Sequence, residues 1–360
     1  MTNGSRLVIE VQGAGEAIGL DLSDKGGTYV VVDAMGQVSG EGKVTLTQTG
    51  LRKVFGSRKP TRIAIEVGTH SPWVSRLLAE LGHEVIVANA HQVKLISQNK
   101  RKSDRQDAEL LARLARLDPS LLKPVRHRGE QAQADLALLR SRDCVVRTRA
   151  TLINHVRGSV KAVGGRIPNC STDAFAAKAR EHLPQLLQAA LLPLLATIDQ
   201  LTQQIKANDK QLEKAAERYP EVKLLRQIKG VGLLTSLAFV LILEEAQRFN
   251  TSRSVGAFAG LTARQSQSGE REPQMHITKA GDELLRRLLV QSAHYILGPF
   301  GPDCDLRRWG KKLAGDGNKI RKRKAVIAVA RKLAVLLHCL WRNGLVYEPL
   351  RDEVLKEVAA

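Results

Sequence analysis

The four cysteines of this chain, Cys144, Cys170, Cys304 and Cys339, lie far apart, and no two form a CxxC pair. That spacing argues against a structural zinc site and a disulfide framework, and it suits a reducing cytoplasm. Long apolar runs are also missing. The longest, GLLTSLAFVLIL at 232–243, falls short of the roughly 20 residues needed to cross a bilayer. The N-terminus is polar and has no signal-peptide core. The expectation is a cytoplasmic protein without a membrane partner. Acidic residues are in deficit: 36 Asp and Glu face 56 Lys and Arg, a net charge of +20. Such a surplus favours a polyanionic partner, nucleic acid before a membrane surface. The remainder, 43% hydrophobic and 26% charged over 360 residues, is ordinary for a globular protein and long enough for two or three domains.

Residues 18–32, IGLDLSDKGGTYVVV, read as two β-rich runs joined by a turn at SDKGG, and GQVSGEGKVTL supplies a third run. TRIAIEVGT is an apolar β-branched strand. PWVSRLLAELG is a helix opened by Pro72 and closed by Gly82, and EVIVANA is another strand of the buried type. A further helix begins in KSDRQDAELLARLAR at 102–116. Three hairpin-linked strands followed by alternating strand and helix predict a mixed α/β sheet, in the order of an RNase H-like domain over 1–128.

From 129 to 221 the pattern turns to long helical periodicity. Two amphipathic segments, about 130–160 and 174–217, flank the breaker AVGGRIPN, and the second is interrupted at Pro184 and Pro193. They predict an antiparallel pair, coiled-coil in character and a candidate oligomer contact. Residues 222–345 read as a mainly helical domain, with KGVG at 229–232 as a turn, and 346–360 as a tail. The predicted fold class is therefore α/β plus all-α.

Acids interrupt the apolar runs at few places. Asp21 sits inside the first strand, Glu66 closes the fourth, and Asp104 and Asp107 open the helix after the fifth. A buried lone carboxylate costs several kcal/mol unless it is paired or bound to a cation. In an RNase H-like sheet the first and fourth strands are neighbours, which sets Asp21 beside Glu66 and lets the helix lay Asp104 and Asp107 over them. A hard divalent cation, Mg²⁺ or Mn²⁺, removes the repulsion and supplies catalytic charge. The plainer alternative makes Asp104 an N-cap and Asp107 its helix-dipole partner. Lys100, Arg101, Lys102 and Arg105 lie beside the acids and suit a phosphate backbone.

GLDLS, IEVGTHS and KSDRQDAELLARL at the front, with IKGVG, FAGLTARQSQSGE and ITKAGDELLRRLLVQSA at the back, resemble the DEDD-type insertion-sequence transposases. The resemblance spans most of the chain. It implies an RNase H-like domain, similar to Holliday-junction resolvases, whose four acids (here Asp21, Glu66, Asp104 and Asp107) bind Mg²⁺. It also implies a later helical domain that supplies a serine nucleophile. Ser268, directly before Gly269, matches best. Ser266 remains an alternative, because Ala263 stands where the family usually has proline. Lys279, Arg286 and Arg287 match the family's basic positions. The family's partners follow as expectations: donor and target duplex DNA, a structured guide RNA that pairs with both, and a homo-oligomer arranged as a dimer of dimers.

A serine hydroxyl needs activation by a base or metal, and phosphoryl transfer needs chiefly positioning and charge neutralisation. Two rivals stand beside this reading. One is a metal-dependent nuclease or junction resolvase that activates water. The other is a basic nucleic-acid-binding protein without activity. His276 and His294 are candidate acid–base helpers, and IRKRK at 320–324 is a candidate nucleic-acid contact.

Overall fold

The computed structural model describes residues 15–89, 103–264 and 275–351. The chain divides into two compact units, Met1–Arg128 and Gly129–Ala360.

In the first unit the strands β1 (Ala17–Leu22), β2 (Gly26–Val32), β3 (Val38–Thr45), β4 (Arg62–Glu66) and β5 (Glu84–Ala88) form one sheet in the order β3-β2-β1-β4-β5. β1 runs antiparallel to β2 and parallel to β4, and β5 is parallel to β4. Strand alternation assigns the two faces. Ile18 and Leu20 of β1 and Ile63 and Ile65 of β4 pack against α1 (Gln48–Phe55) and α2 (Ser71–Glu80), through Leu51, Phe55, Val74 and Leu78. On the opposite face, Ala17 and Ala64 meet Leu111, Leu114 and Ala115 of α3 (Asp104–Leu117), while Val30 and Val32 meet Ala108 and Ala112. His83, buried beneath α1, accepts at Nδ1 from the Thr61 N–H (3.3 Å), and its Nε2 donates to the Phe55 carbonyl (3.0 Å).

The mixed sheet agrees with the expected element order. α1 was not foreseen. The segment QTGLRKVF carries a glycine and two basic residues, yet Thr47 caps it by accepting the Gly50 N–H at 3.0 Å, and Leu51 and Phe55 are buried one turn apart.

In the second unit α4 (Glu130–Ala162) and α6 (Gln188–Ala216) run antiparallel. Arg142 pairs with Asp209 at 2.9 Å, and Arg149, seven residues later, donates to Thr202, seven residues earlier, at 3.0 Å. α5 (Phe175–Glu181) closes their far end, where Phe175 and Ala179 pack on Val156, Val160 and Leu195. The break expected at Pro193 is absent. This proline lies in the second turn of α6, where only one backbone bond is lost, and the helix continues through it. α7 (Pro220–Leu225) leads through the KGVG turn into α8 (Leu233–Leu243). α8 is the buried axis of the unit, with Leu237 through Leu243 all inside the main core. Around it pack α10 (Glu283–Leu297) and α12 (Lys319–Asn343); α9 (Arg253–Phe258) and α11 (Asp305–Ala314) adjoin them. Among the described residues no helix is long and apolar enough to cross a membrane.

Candidate active site

The parity that puts Ala17 and Gly19 on the α3 face also puts Asp21 there. Ala64 does the same for Glu66. In the β1–β4 ladder Leu20 registers with Ile65, so each acid follows by one residue on neighbouring strands. α3 brings the other two. Its sheet-facing stripe is Ala108, Leu111, Ala112 and Ala115, and Asp104 and Asp107 precede that stripe by one turn, at the end nearest the acids of the sheet. Gly19 makes the approach possible: a Cβ there would stand 1.8 Å from the Ala108 carbonyl oxygen. The helix backbone thus lies against the strand two residues before Asp21. Gly19 was passed over as a functional residue in the sequence. Its signal was a lone glycine inside an apolar strand, which marks close backbone approach.

Ser103, not Asp104, caps α3. Its hydroxyl accepts the Gln106 N–H at 3.3 Å. The capping alternative for Asp104 therefore falls away, leaving Asp104 in the first turn.

Asp21 feels the other three acids. The Asp21 carboxyl is pushed up to about 6, first by burial and then by the negative charges of Asp104, Asp107 and Glu66; one backbone hydrogen bond from Leu22 opposes the rise. Among the described residues no basic side chain forms an ion pair with Asp21, Asp104 or Asp107. Nor do any three His, Cys, Asp or Glu side chains among those residues stand close enough to hold a metal ion as they are. The two observations describe different ranges. Like charges act on each other over several ångströms, while ligation requires oxygens within about 2–2.6 Å of one ion. The donor set is all carboxylate oxygen, suited to a hard divalent cation.

The basic residues divide. Arg105 is half exposed and engaged by Glu41 (2.6 Å) and Glu109 (3.4 Å). Arg287 is paired with Asp143 of α4. Arg286 donates to the carbonyls of Ala259 (3.3 Å) and Ala280 (3.0 Å). Lys279 is exposed and adopts a left-handed backbone, φ 55°. Lys100, Arg101, Lys102, Ser266 and Ser268 lie outside the described residues. The two sides of the serine-bearing segment are nonetheless clasped together. Ala263 bridges Ile277, Thr278 N–H donates to the Thr262 carbonyl at 2.8 Å, and Arg264 N–H donates to the His276 carbonyl at 2.9 Å. Below that clasp Gly260 and Gly281 cross. A Cβ on Gly260 would stand 2.1 Å from the Ala280 oxygen, and one on Gly281 would stand 2.0 Å from the Phe258 oxygen. Both have positive φ.

Comparison with known proteins places the chain among transposases. Residues 18–164 match a DEDD-type model (IS110) described as "Transposase". Residues 222–302 match the "Transposase IS116/IS110/IS902 family". The chain is 28% identical over 315 residues to "Probable family 20 transposase" of Pseudomonas aeruginosa, covering 84% of this chain and 90% of that protein. It is 28% identical over 300 residues to "Transposase for insertion sequence element IS1328" of Yersinia enterocolitica, covering 82% and 88%. The chain is an enzyme that acts on DNA. It belongs to the DEDD-type insertion-sequence transposases.

Proposed function

We propose that this transposase cuts and rejoins DNA through a covalent serine–phosphodiester intermediate, with Asp21, Glu66, Asp104 and Asp107 as one divalent-cation site. The observation that carries the reading is the raised Asp21 carboxyl, whose causes include all three other acids. An RNase H-like assignment of the first unit is supported by the order β3-β2-β1-β4-β5, by its antiparallel first three strands, and by a helix that returns the last two acids over β1. In the same reading residues 129–221 are a helical module, 222–345 a domain bearing the serine loop, and 346–360 a tail.

Asp21, Glu66, Asp104 and Asp107 are the carboxylates that would hold Mg²⁺ or Mn²⁺, which would supply charge neutralisation at the reacting phosphodiester. The protein's own residues do the rest. Ser268, with Ser266 as the alternative, attacks the phosphorus of one phosphodiester through Oγ. The P–O bond to the departing strand breaks, that strand leaves with its hydroxyl, and the serine proton replaces the lost bond to oxygen. Attack by an incoming hydroxyl reverses the balance and frees the serine, so no ATP is consumed. Lys100, Arg101 and Lys102 beside the acids, and Lys279 beside the serine segment, are the cations proposed to hold neighbouring phosphates. Arg105, Arg286 and Arg287 join them only if DNA competes for their present partners. Donor and target duplexes, a structured guide RNA and a dimer of dimers complete the proposal. They are supported by the net charge of +20 and the family membership.

The test uses full-length protein with its co-purifying nucleic acid, labelled DNA and Mg²⁺. Denaturing gels should show protein-linked DNA with the native chain and with Ser266→Ala, and none with Ser268→Ala. Undiminished cleavage by Ser268→Ala without any adduct would establish the water-activating nuclease instead. Extraction of the same preparation should yield one discrete RNA.

A further inference from the structure

Residues 305–324 carry nine Lys and Arg against two Asp, about a third of the chain's net charge of +20 in twenty residues. They form α11, the turn after it and the first turn of α12, and they border a cavity of about 540 Å³ shared with the end of α10. Leu297 and Val326 give the cavity an apolar part, while Lys311, Lys322, His294 and one acid, Asp316, line its polar part, so the two lysines outnumber the single carboxylate at the rim. We infer that this groove seats an unpaired stretch of a DNA strand.

The groove is built rather than incidental. Gly310 brings α11 against its neighbours, since a Cβ there would stand 2.5 Å from Val329 and 2.7 Å from Leu297. Buried Arg307 donates to the carbonyls of Ile296 and Gly298, the latter at 2.6 Å, and so fixes the end of α10. Arg321 folds back over Gly315 and Gly317 and donates from Nε to the Leu313 carbonyl at 3.1 Å, holding the turn that forms the rim.

Three of the nine cations are thereby assigned structural work, Arg308 being paired with Asp303. Lys311, Lys312, Lys319, Lys322 and Arg323 are exposed and form no ion pair among the described residues. Next to them the 25-residue helix α12 presents its N-terminus, where Asn318 accepts the N–H groups of Ile320 and Arg321 at 3.1 Å. The positive end of that dipole adds to the attraction for phosphate.

Size and lining choose among nucleic-acid forms. A duplex turns its phosphates outward and would meet only the lysine rim. An unpaired nucleotide can turn its base toward the apolar side of the groove, where Leu297 is the more open of the two apolar residues, while its phosphates reach Lys311 and Lys322. The volume lies within the roughly 300–1,000 Å³ of sites that enclose a small molecule. The choice of DNA follows from the class of enzyme and does not depend on the serine reading.

The test measures anisotropy of labelled dT12, the matching 12-base-pair duplex and U12 RNA on full-length protein in EDTA, where cleavage cannot occur. The double variant Lys311→Gln/Lys322→Gln should weaken dT12 at least tenfold and reduce the salt slope by about 1.4. The duplex should change less than threefold. Lys210→Gln/Lys214→Gln, which removes the same charge from α6, should change dT12 less than twofold. Val326→Trp, which fills the groove and keeps its charge, should also weaken dT12, with a melting curve to verify folding. The proposal is overturned if the lysine pair matters no more than the α6 pair, if it weakens duplex and single strand equally, or if U12 is held more tightly than dT12.

Discussion

The Cβ that Gly19 lacks would stand 1.8 Å from the carbonyl oxygen of Ala108 and 2.6 Å from the Ala112 nitrogen. Because Ala108 directly follows Asp107, this contact sets how near the helical acids come to Asp21. Gly19→Ala must push α3 off the sheet. The expected result is a loss of about 1–3 kcal/mol in urea unfolding and a loss of about 100-fold or more in DNA strand cleavage. Gly158→Ala, at an exposed position of α4 where a Cβ meets nothing within 4 Å, should leave cleavage unchanged and stabilise slightly.

Asp21 has the opposite sign of stability effect. Its folded pKa of about 6 lies above the ordinary 3.8, so between those values the folded protein holds the proton that the unfolded chain has released. Stability therefore falls as pH rises through about 4 to 6, and the full cost stands above that window. Asp21→Asn removes the charge. It should be more stable than the native chain by about 1 kcal/mol at pH 7.5, a figure reduced for solvent screening of a partly exposed group, and the gap should close near pH 4. The same variant should have no cleavage activity. Urea midpoints across that pH range check the first part, and a gel assay checks the second. Native cleavage should decline on the acid side as Asp21 takes up its proton.

Arg286 tests whether a basic family position touches DNA or braces the protein. It ties the Ala259 and Ala280 carbonyls on the two sides of the Gly260–Gly281 crossing. Arg286→Ala should cost about 1–2 kcal/mol of stability. Strand cleavage should fall more than tenfold while DNA affinity changes less than threefold. A tenfold loss of affinity would instead make Arg286 a phosphate contact.

Much of the acidic constellation was legible because strands betray their faces. An apolar β-branched run with one acid at an even step from small residues, as in Ala17, Gly19 and Asp21, already places the carboxylate on a definite side. Asp104 and Asp107 were legible for the same reason, one turn before a helical apolar stripe. What the sequence hid was tertiary. Nothing local links Arg287 to Asp143 or Arg105 to Glu41, because those partners are brought in by packing across elements. α1 was hidden by weak propensity, although Thr47 was a visible cap. Pro193 misled because a proline near a helix start costs far less than one at its centre.

The central claim is that Asp21, Glu66, Asp104 and Asp107 make one cation site. Calorimetric titration of Mn²⁺ into the full-length protein tests it without DNA or catalysis. The native chain should bind with an affinity that each of Asp21→Asn, Glu66→Gln, Asp104→Asn and Asp107→Asn lowers at least tenfold, while Asp118→Asn, at the far end of α3, leaves it unchanged. Equal Mn²⁺ affinity in the native chain and all four variants would contradict the account.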